Sequence, residues 1–195
     1  MKIVLLESLG IPAELLKSYA DKLEAKGHTF AAYEKNTDAQ VQIDRAKDAD
    51  VIMIANMPLK GEVIRACKNL KFINVAFTGV DHVDLAAAKE MGVKVSNASG
   101  YSTQSVAELA LGMMLSLLRN VPQVEERCRA GKTKDGLVGT ELRGKTVGIV
   151  GAGAIGQNTG RLCKAFGCKV IAYNHRPKQA AEGTIDEFVD LDTLT

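Results

Sequence analysis

The sequence predicts an α/β protein built on parallel β-sheets, and three observations support this prediction. Short apolar runs alternate with helical patterns over the first hundred residues, and such alternation with short joins indicates βαβ units. A second alternation of the same kind begins after Lys145. Its first join, residues 151–156, reads GAGAIG, a glycine pattern that connects strand to helix in dinucleotide-binding domains.

The first hundred residues are predicted to form one domain with five strands. The apolar runs, in order, are KIVLLE, HTFAAYE, DVIMIAN, KFINVAFTG and VKVSN. Helical apolar spacing between the first two runs predicts a helix that Gly27 closes. Further helices are expected at 38–48, 61–70 and 84–92, the last stopped by Gly92. We therefore expect residues 1–100 to be a compact parallel-sheet domain.

The next segment, YSTQSVAELALGMMLSLLRN, is predicted to be a long helix that is apolar nearly all round. A helix of this kind is buried, so we expect it to lie between two domains. Ser105 and Glu108 stand three residues apart near its start, which is the pattern of a capping box. That pattern explains Glu108 without a catalytic role.

Residues 101–195 are predicted to contain the beginning of a second domain. After a polar excursion at 119–145 come a strand, the glycine turn, a helix, a second strand and a short third strand at 187–191. A doubly wound nucleotide domain has five or six strands. We therefore expect this chain to be a fragment of a longer protein.

Composition excludes several classes of function. The net charge of +2 says nothing about nucleic acid, but the lack of a basic cluster with interleaved aromatics argues against nucleic-acid binding. No apolar run reaches the roughly 20 residues of a membrane span, and the N-terminus lacks a signal-peptide pattern. The four cysteines form no CxxC pair, so reduced thiols are expected and a metal site is not. The predicted compartment is the cytosol.

Each glycine of GAGAIG has its own predicted role. Gly151 permits the tight turn, Gly153 lets a pyrophosphate approach the backbone, and Gly156 lets helix and strand pack closely. Ala154 and Ile155 begin the helix, whose N-terminal N–H groups and dipole favour phosphate. A plain strand–helix join with packing glycines is the alternative, and the apolar strands on both sides favour the dinucleotide site.

The end of the next strand indicates which dinucleotide binds. About 20 residues beyond the glycine turn, NAD sites carry an acid that binds the ribose hydroxyls, but here Asn174 is followed by His175 and Arg176. The amide can bind a hydroxyl without repelling a 2′-phosphate, and Arg176, with Lys178 nearby, can attract one. We predict NADP, or use of both cofactors. In the alternative, these are solvated loop residues and Asn174 serves NAD.

From about residue 70 onwards, the sequence resembles the D-2-hydroxyacid dehydrogenase family, which includes phosphoglycerate dehydrogenase and glyoxylate/hydroxypyruvate reductases. Four stretches carry the resemblance: residues 74–120, ELRGKTVGIVGAGAIG, KVIAYNHR and FVDLDTL. The resemblance implies a flavodoxin-like substrate domain at 1–100, the first half of a Rossmann NAD(P)-binding domain at 101–195, and an active site in the cleft between them. It also implies a homodimer, with residues 119–145 as an arm.

The resemblance further implies residue roles in the reduction of small 2-keto acids. Gly79 and Val80 would offer N–H groups to the substrate carboxylate, and Thr78 would lie near the nicotinamide. A strand ending at Thr78 and a helix starting after Asp81 fit this, although a simple capped join is the alternative. The family's catalytic His, Glu and Arg follow later in family order, so no catalytic residue is expected in this chain.

None of the three histidines in this chain fits the role of the family's catalytic histidine. His28 starts a strand, His175 lies at the adenosine end of the predicted site, and His82 is expected to face solvent in a first helical turn. A non-catalytic dinucleotide-sensing or corepressor-like module is the main alternative function. A receiver-like signalling domain would need a phosphorylatable Asp after the third strand, where Asn56 stands.

Overall fold

The computed structural model describes residues 1–176 and 179–195, which fold as two compact units, Met1–Ser99 and Gly100–Thr195. Lys178 therefore lies outside the described residues. All ladders between the strands are parallel, which confirms the predicted parallel α/β fold class. The assignment of a substrate role to one unit and a cofactor role to the other stays a prediction.

The first unit is a five-stranded sheet flanked by helices. Its elements are β1 (Lys2–Leu5), α1 (Ala13–Glu24), β2 (Thr29–Ala32), α2 (Ala39–Ala46), β3 (Val51–Ile54), α3 (Gly61–Ala66), β4 (Phe72–Val75), α4 (Leu85–Glu90) and β5 (Lys94–Asn97). The strand order β2-β1-β3-β4-β5 is the flavodoxin-like order, in which the direction of winding reverses between β1 and β3.

Apolar strands explain why this sheet is the centre of the first unit. The central strands β1, β3 and β4 contribute residues that are fully or almost fully buried, among them Val4, Ile52, Ile54, Ile73 and Val75. Near-continuous apolar strands are typical of parallel sheets covered on both faces. All the carboxyl ends of these strands share one edge of the sheet, and ligands of open α/β sheets bind at that edge.

The second unit contains a three-stranded parallel sheet with the order β6-β7-β8. Its elements are α5 (Thr103–Leu118), α6 (Val121–Arg129), β6 (Thr146–Val150), α7 (Ala154–Ala165), β7 (Lys169–Tyr173), β8 (Glu187–Phe188) and α8 (Leu191–Leu194). This order is that of the first three strands in a Rossmann-like fold. Its core joins β6, β7 and α7 to one face of α5.

The prediction that α5 is buried nearly all round is wrong for the described chain. Only Ala107 is fully buried, whereas Leu109, Met113 and Leu117 are 62%, 54% and 78% exposed. A single stripe of α5, which includes Leu111, Met114, Leu115 and Leu118, packs on the core of the second unit. The apolar residues of α5 therefore form two faces. The described residues cover one of these faces and leave the other exposed.

The predicted capping box at the start of α5 is also wrong. The helix begins at Thr103, and its N-cap Ser102 makes no side-chain cap hydrogen bond. The Ser105 hydroxyl instead donates to the Ser102 carbonyl at 3.0 Å, and Glu108 accepts from Gln104 one turn earlier. The helix starts two residues before the predicted cap, so both side chains lie inside it.

No helix in the described part of the chain combines the length and apolarity that a membrane span requires. Over the same residues, no three His, Cys, Asp or Glu side chains converge at a spacing that would hold a metal ion.

Candidate functional site

The three glycines of the turn between β6 and α7 differ in what a side chain at each position would meet. Gly151 has a φ of +98°, a left-handed conformation that residues with a Cβ rarely adopt. A Cβ on Gly156 would lie 2.1 Å from the Gly151 carbonyl oxygen, whereas a Cβ on Gly153 would meet no atom within 4 Å. Gly156 thus allows α7 to pack on the turn, and Gly153 leaves open space beside the backbone.

Hydrogen bonds hold this turn to the elements around it. The Gly151 N–H donates to the Tyr173 carbonyl at 2.8 Å, at the end of β7. On the helix side, the Gln157 amide donates to the Ala152 carbonyl at 3.0 Å and accepts from the Ala181 N–H at 3.0 Å. The turn is therefore preorganised on both sides by groups of the second unit.

The first turn of α7 presents the groups that an anion requires. Its N-cap, Gly153, makes no side-chain cap hydrogen bond, and the first turn contains no acidic residue. The N–H groups at the start of an α-helix have no partner inside the helix, and the helix dipole adds a partial positive charge there. Ala154 and Ile155, which begin α7, therefore lie where phosphate oxygens bind at such turns.

Asn174, at the end of β7, is used within the turn. Its Oδ1 accepts a hydrogen bond from the Ala152 N–H at 3.1 Å, and its Nδ2 donates to the Arg176 carbonyl at 2.6 Å. A carboxamide has two donor hydrogens and two acceptor lone pairs, so one of each remains for a ligand hydroxyl. The sequence predicts Asn174 as a ligand-binding residue, but it does not predict that the side chain also binds the Ala152 N–H of the glycine turn.

The segment after Asn174 is a small cationic surface. His175 and Arg176 are both exposed, and no carboxylate among the described residues forms an ion pair with Arg176. A guanidinium without a carboxylate partner can bind a phosphate through two parallel hydrogen bonds. The charge and the geometry at this strand end therefore favour an anionic group.

A second cluster of predicted residues, Thr78 to Val80, lies in the first unit at the carboxyl edge of its sheet. The Asn97 amide, at the end of β5, donates to the Thr78 carbonyl at 2.6 Å, and the Val83 N–H donates to the Val80 carbonyl at 3.0 Å. Carbonyl groups on both sides of Gly79 are thus bound within the unit. A Cβ at Gly79 would lie 2.8 Å from the Asp81 carboxylate, which could turn away to make room.

The predicted strand end at Thr78 and the helix start placed just after Asp81 are wrong, whereas α4 lies within the helix predicted at 84–92. β4 ends at Val75 and α4 begins at Leu85, so the connection is longer than the predicted Thr78-to-Asp81 join. The α4 cap is Asp84, which accepts from the Ala87 N–H at 2.9 Å. Two hydrogen bonds join the end of this connection to the loop after β3, from the Leu59 N–H to the His82 carbonyl and from the Asp84 N–H to the Leu59 carbonyl.

His82 also differs from its predicted solvent-facing place. It lies before α4 and is only partly exposed, and its buried Nε2 has no hydrogen-bond partner among the described residues. Its backbone carbonyl accepts from the Leu59 N–H at 2.9 Å. The residue therefore belongs to the packing between the β3 loop and the turn.

Two features of these sites were not predicted from the sequence. Glu7, at the end of β1, is 3% exposed and accepts from the Ala55 and Met57 N–H groups, both at 2.7 Å. A Cβ at Gly160, one turn beyond the glycine motif, would lie 2.2 Å from the Thr184 carbonyl oxygen. Both contacts join residues far apart in the chain, so neither has a local sequence pattern.

Comparison with known proteins identifies a family that matches almost the whole chain. Residues 3–190 match the family described as D-isomer specific 2-hydroxyacid dehydrogenase, catalytic domain. A hydroxypyruvate reductase of Thermotoga maritima is 42% identical over 149 residues, which cover 75% of this chain and 48% of the relative. The chain thus spans about half the length of that curated relative.

Solved structures match all of the chain and part of their own length. An acyclic imino acid reductase, Bsp5, in complex with NADPH and D-Arg is 27% identical, with a TM-score of 0.86. An NAD-dependent formate dehydrogenase from Staphylococcus aureus in complex with NAD is 30% identical, also with a TM-score of 0.86. In both, the match covers 100% of this chain and 62% of the solved chain.

Proposed function

Because this chain belongs to the D-isomer specific 2-hydroxyacid dehydrogenase family, we propose that the whole protein is an oxidoreductase that reduces small 2-keto acids, such as glyoxylate or hydroxypyruvate, with NAD(P)H. The observation that carries the proposal is the glycine turn, where Gly153 leaves open space at the N-terminus of α7. The similarity to a hydroxypyruvate reductase supports this substrate class.

The residues of the turn fit a dinucleotide. The N–H groups of Ala154, Ile155 and Gly156 would bind the pyrophosphate, next to the backbone that Gly151 and Gly153 keep free of side chains. The nicotinamide of the bound cofactor supplies the hydride that reduces C2 of the keto acid. The protein's own contribution is to hold the cofactor and to orient the substrate.

The strand end supports NADP over NAD as the cofactor. The Asn174 carboxamide carries no charge to repel a 2′-phosphate, and Arg176 is exposed without a carboxylate partner among the described residues. His175 would add a ring N–H as a further hydrogen-bond donor. Known structures with this fold include both an NADPH complex and an NAD complex. The fold is therefore compatible with either cofactor, and the preference for NADP is argued from the local charge.

In the first unit, we assign the substrate carboxylate to the N–H groups of Gly79 and Val80, with Thr78 toward the nicotinamide. Asn97 and Val83 hold the carbonyls of this turn in place. Successive backbone N–H groups in such a turn form an anion-binding concavity. A carboxylate bound there would present the adjacent keto carbon of the substrate for reduction.

Reduction also needs a proton for the alkoxide oxygen that forms when hydride reaches the keto carbon. We propose that no residue of this chain supplies it. His28 lies at the amino edge of the first sheet, His175 follows β7 beside the adenosine-binding residues, and the His82 ring is partly buried in packing. The 195 residues would then bind the cofactor without turning it over.

We further propose a homodimer in the cytosol. The exposed stripe on α5, formed by Leu109, Met113 and Leu117, is an apolar surface of the kind that marks protein interfaces. Cys67, Cys163 and Cys168 are buried free thiols, which fits a reducing compartment. Light scattering of the purified chain would measure its mass, and a monomer at micromolar concentration would contradict the dimer.

Two measurements test the proposed function. Fluorescence titration of the 195-residue chain with NADPH and NADH should show saturable binding, tighter for NADPH. Steady-state assays of the whole protein with glyoxylate and hydroxypyruvate should show NADPH used at least as well as NADH, whereas the 195-residue chain should show no turnover. Binding without turnover by the whole protein would favour the dinucleotide-sensing alternative, and a strong NADH preference would contradict the role of Asn174 and Arg176.

A further inference from the structure

Glu7 is a buried acid that the proposed reaction does not use. It follows β1 at the carboxyl edge of the first sheet, where the winding direction reverses between β1 and β3. A buried carboxylate is costly unless hydrogen bonds and an opposite charge compensate for the lost water. At 3% exposed, Glu7 must therefore be held by specific partners.

Two of those partners lie in the loop after β3, residues 55–59, and a third, Lys35, follows β2. One oxygen, Oε1, accepts from both the Ala55 and the Met57 N–H at 2.7 Å, and the other lies 3.7 Å from the Lys35 ammonium. Lys35 also donates to the Asn56 side chain at 3.1 Å. Glu7 thus binds the backbone on both sides of Asn56, while Lys35 holds the Asn56 side chain.

The far end of the same loop is hydrogen-bonded to residues 82–84, which follow the Gly79–Val80 turn. The Leu59 N–H donates to the His82 carbonyl at 2.9 Å, and the Asp84 N–H donates to the Leu59 carbonyl at 3.1 Å. The Val83 N–H, between them, binds the Val80 carbonyl at 3.0 Å. Hydrogen bonds, joined by short stretches of backbone at 57–59 and 82–83, therefore lead from Glu7 through the loop to Val80.

We propose that Glu7 is a positioning residue, which holds the 55–59 loop and through it the Gly79–Val80 turn in the geometry that binds a 2-keto acid carboxylate. The inference rests on the proposed function of that turn. Without Glu7, the Ala55 and Met57 N–H groups would lose their shared acceptor, and the loop would no longer fix the position of the segment at 82–84. Glu7 itself would not touch the substrate.

The conservative replacement separates the hydrogen bonds from the charge. In Glu7→Gln, the amide oxygen can accept from the same two N–H groups, whereas in Glu7→Leu no acceptor remains. Asp50→Leu is the matched control, because Asp50 is a carboxylate at the opposite, amino edge of the same sheet. It accepts from the Lys2 N–H at 2.8 Å and from Lys71 at 2.6 Å.

Amide hydrogen exchange on the 195-residue chain tests the positioning role without any ligand. We expect Glu7→Leu to raise exchange at Leu59 and Asp84 by about tenfold or more relative to other protected amides of the sheet, as expected when buried hydrogen bonds are lost. Glu7→Gln should stay within about threefold of the wild type. Asp50→Leu should lower the melting temperature without a selective change at Leu59 and Asp84.

Binding of oxamate, a 2-keto acid analogue, tests the consequence for the substrate. The NMR chemical shifts of the Gly79 and Val80 amides, followed during a titration, give the dissociation constant for oxamate. We expect this constant to rise about tenfold in Glu7→Leu, because the turn is no longer preorganised. It should be unchanged in Glu7→Gln and Asp50→Leu. If Glu7→Leu does not fold, Glu7→Asp, whose shorter side chain withdraws the acceptor, should change both readouts in the same direction.

The outcomes separate the two proposals. The positioning role of Glu7 would be overturned if exchange in Glu7→Leu rose no more at Leu59 and Asp84 than at the other protected amides of the sheet. It would also be overturned if Asp50→Leu weakened oxamate binding as much as Glu7→Leu does. If the wild-type chain shows no shift at Gly79 and Val80, the carboxylate site is wrong and so is the effect of Glu7 on substrate. The exchange data then decide whether Glu7 still positions the turn.

Discussion

The Asn174 carboxamide accepts a hydrogen bond from the Ala152 N–H at 3.1 Å, so the residue that ends β7 also shapes the glycine turn that follows β6. An aspartate at this position could accept the same bond, but it would add a negative charge beside the proposed cofactor-binding turn. The bond to Ala152 is therefore compatible with both residues, whereas the bond from Asn174 Nδ2 to the Arg176 carbonyl would be lost in aspartate.

Asn174→Asp is expected to move the cofactor preference toward NADH. The carboxylate would keep the bond to Ala152, bind the ribose hydroxyls and repel a 2′-phosphate. We expect the ratio of NADPH to NADH affinity to fall by about tenfold or more, which corresponds to about 1.4 kcal/mol. Fluorescence titration with both cofactors measures the ratio, and an unchanged ratio would mean that position 174 does not face the ribose.

Arg176→Gln is expected to weaken NADPH binding selectively. The variant removes a guanidinium that has no carboxylate partner in the described chain but keeps the Arg176 carbonyl, which accepts from Asn174. The dissociation constant for NADPH should rise by about tenfold, as for the loss of a charge-assisted hydrogen bond, and that for NADH should hardly change. Arg143→Gln is the control, because Arg143 is exposed and precedes β6 at the opposite edge of the sheet. An equal loss in the control would refute the specific role.

The Gly153→Ala and Gly156→Ala variants should separate ligand binding from stability. A Cβ at Gly153 meets no protein atom within 4 Å, so this variant should melt like the wild type but bind NADPH weakly, because the methyl group occupies the space predicted for the pyrophosphate. A Cβ at Gly156 would lie 2.1 Å from the Gly151 carbonyl, and that overpacking should cost about 1–3 kcal/mol of stability. Urea unfolding and NADPH titration measure the two effects. Full NADPH binding by Gly153→Ala would place the pyrophosphate elsewhere.

Of the four thiols, only Cys128 should react in the folded chain. Cys128 is exposed, whereas Cys67, Cys163 and Cys168 are buried. Burial raises the pKa of the Cys67 thiol to about 11 and raises the pKa of the other two buried thiols, so the reactive thiolate is scarce at pH 8. A disulfide reagent should label one thiol per native chain within minutes and four in denaturant. Rapid labelling of a second thiol would contradict the described packing.

Asp186 should make stability depend on pH in the acidic range. The Lys164 ammonium and then the Val170 N–H, which donates at 2.7 Å, lower the pKa of this carboxyl below its usual value. A lowered pKa in the folded state gives stability that is present above the unfolded-state pKa and is lost as pH falls through the folded-state pKa. The difference in unfolding free energy between wild type and Asp186→Asn should therefore be largest at neutral pH and shrink below the usual carboxyl range. A difference between the two proteins that does not change between neutral and acidic pH would contradict this role of Asp186.

Much of the fold could be predicted because it rests on local rules. The alternation of apolar strands and helices indicated parallel sheets, and the confirmed strands lie inside the predicted apolar runs. The connection from β4 to α4 was mispredicted because residues 76–84 take their hydrogen bonds from distant partners, such as Leu59. Apolar periodicity shows which faces of α5 avoid water but cannot show what covers them, so Leu117 was expected to be buried.

The sequence alone determined the glycine turn, because its requirements are local: a left-handed φ at Gly151 and a missing Cβ at Gly156 depend on residues a few positions apart. Only the tertiary structure revealed the roles of Asn174 and Glu7. Glu7 binds backbone groups 48 and 50 residues away, and Asn174 binds one 22 residues away. A buried polar side chain chooses its partner when the strands come together in the sheet, and that choice depends on the packed geometry and not on the neighbouring sequence.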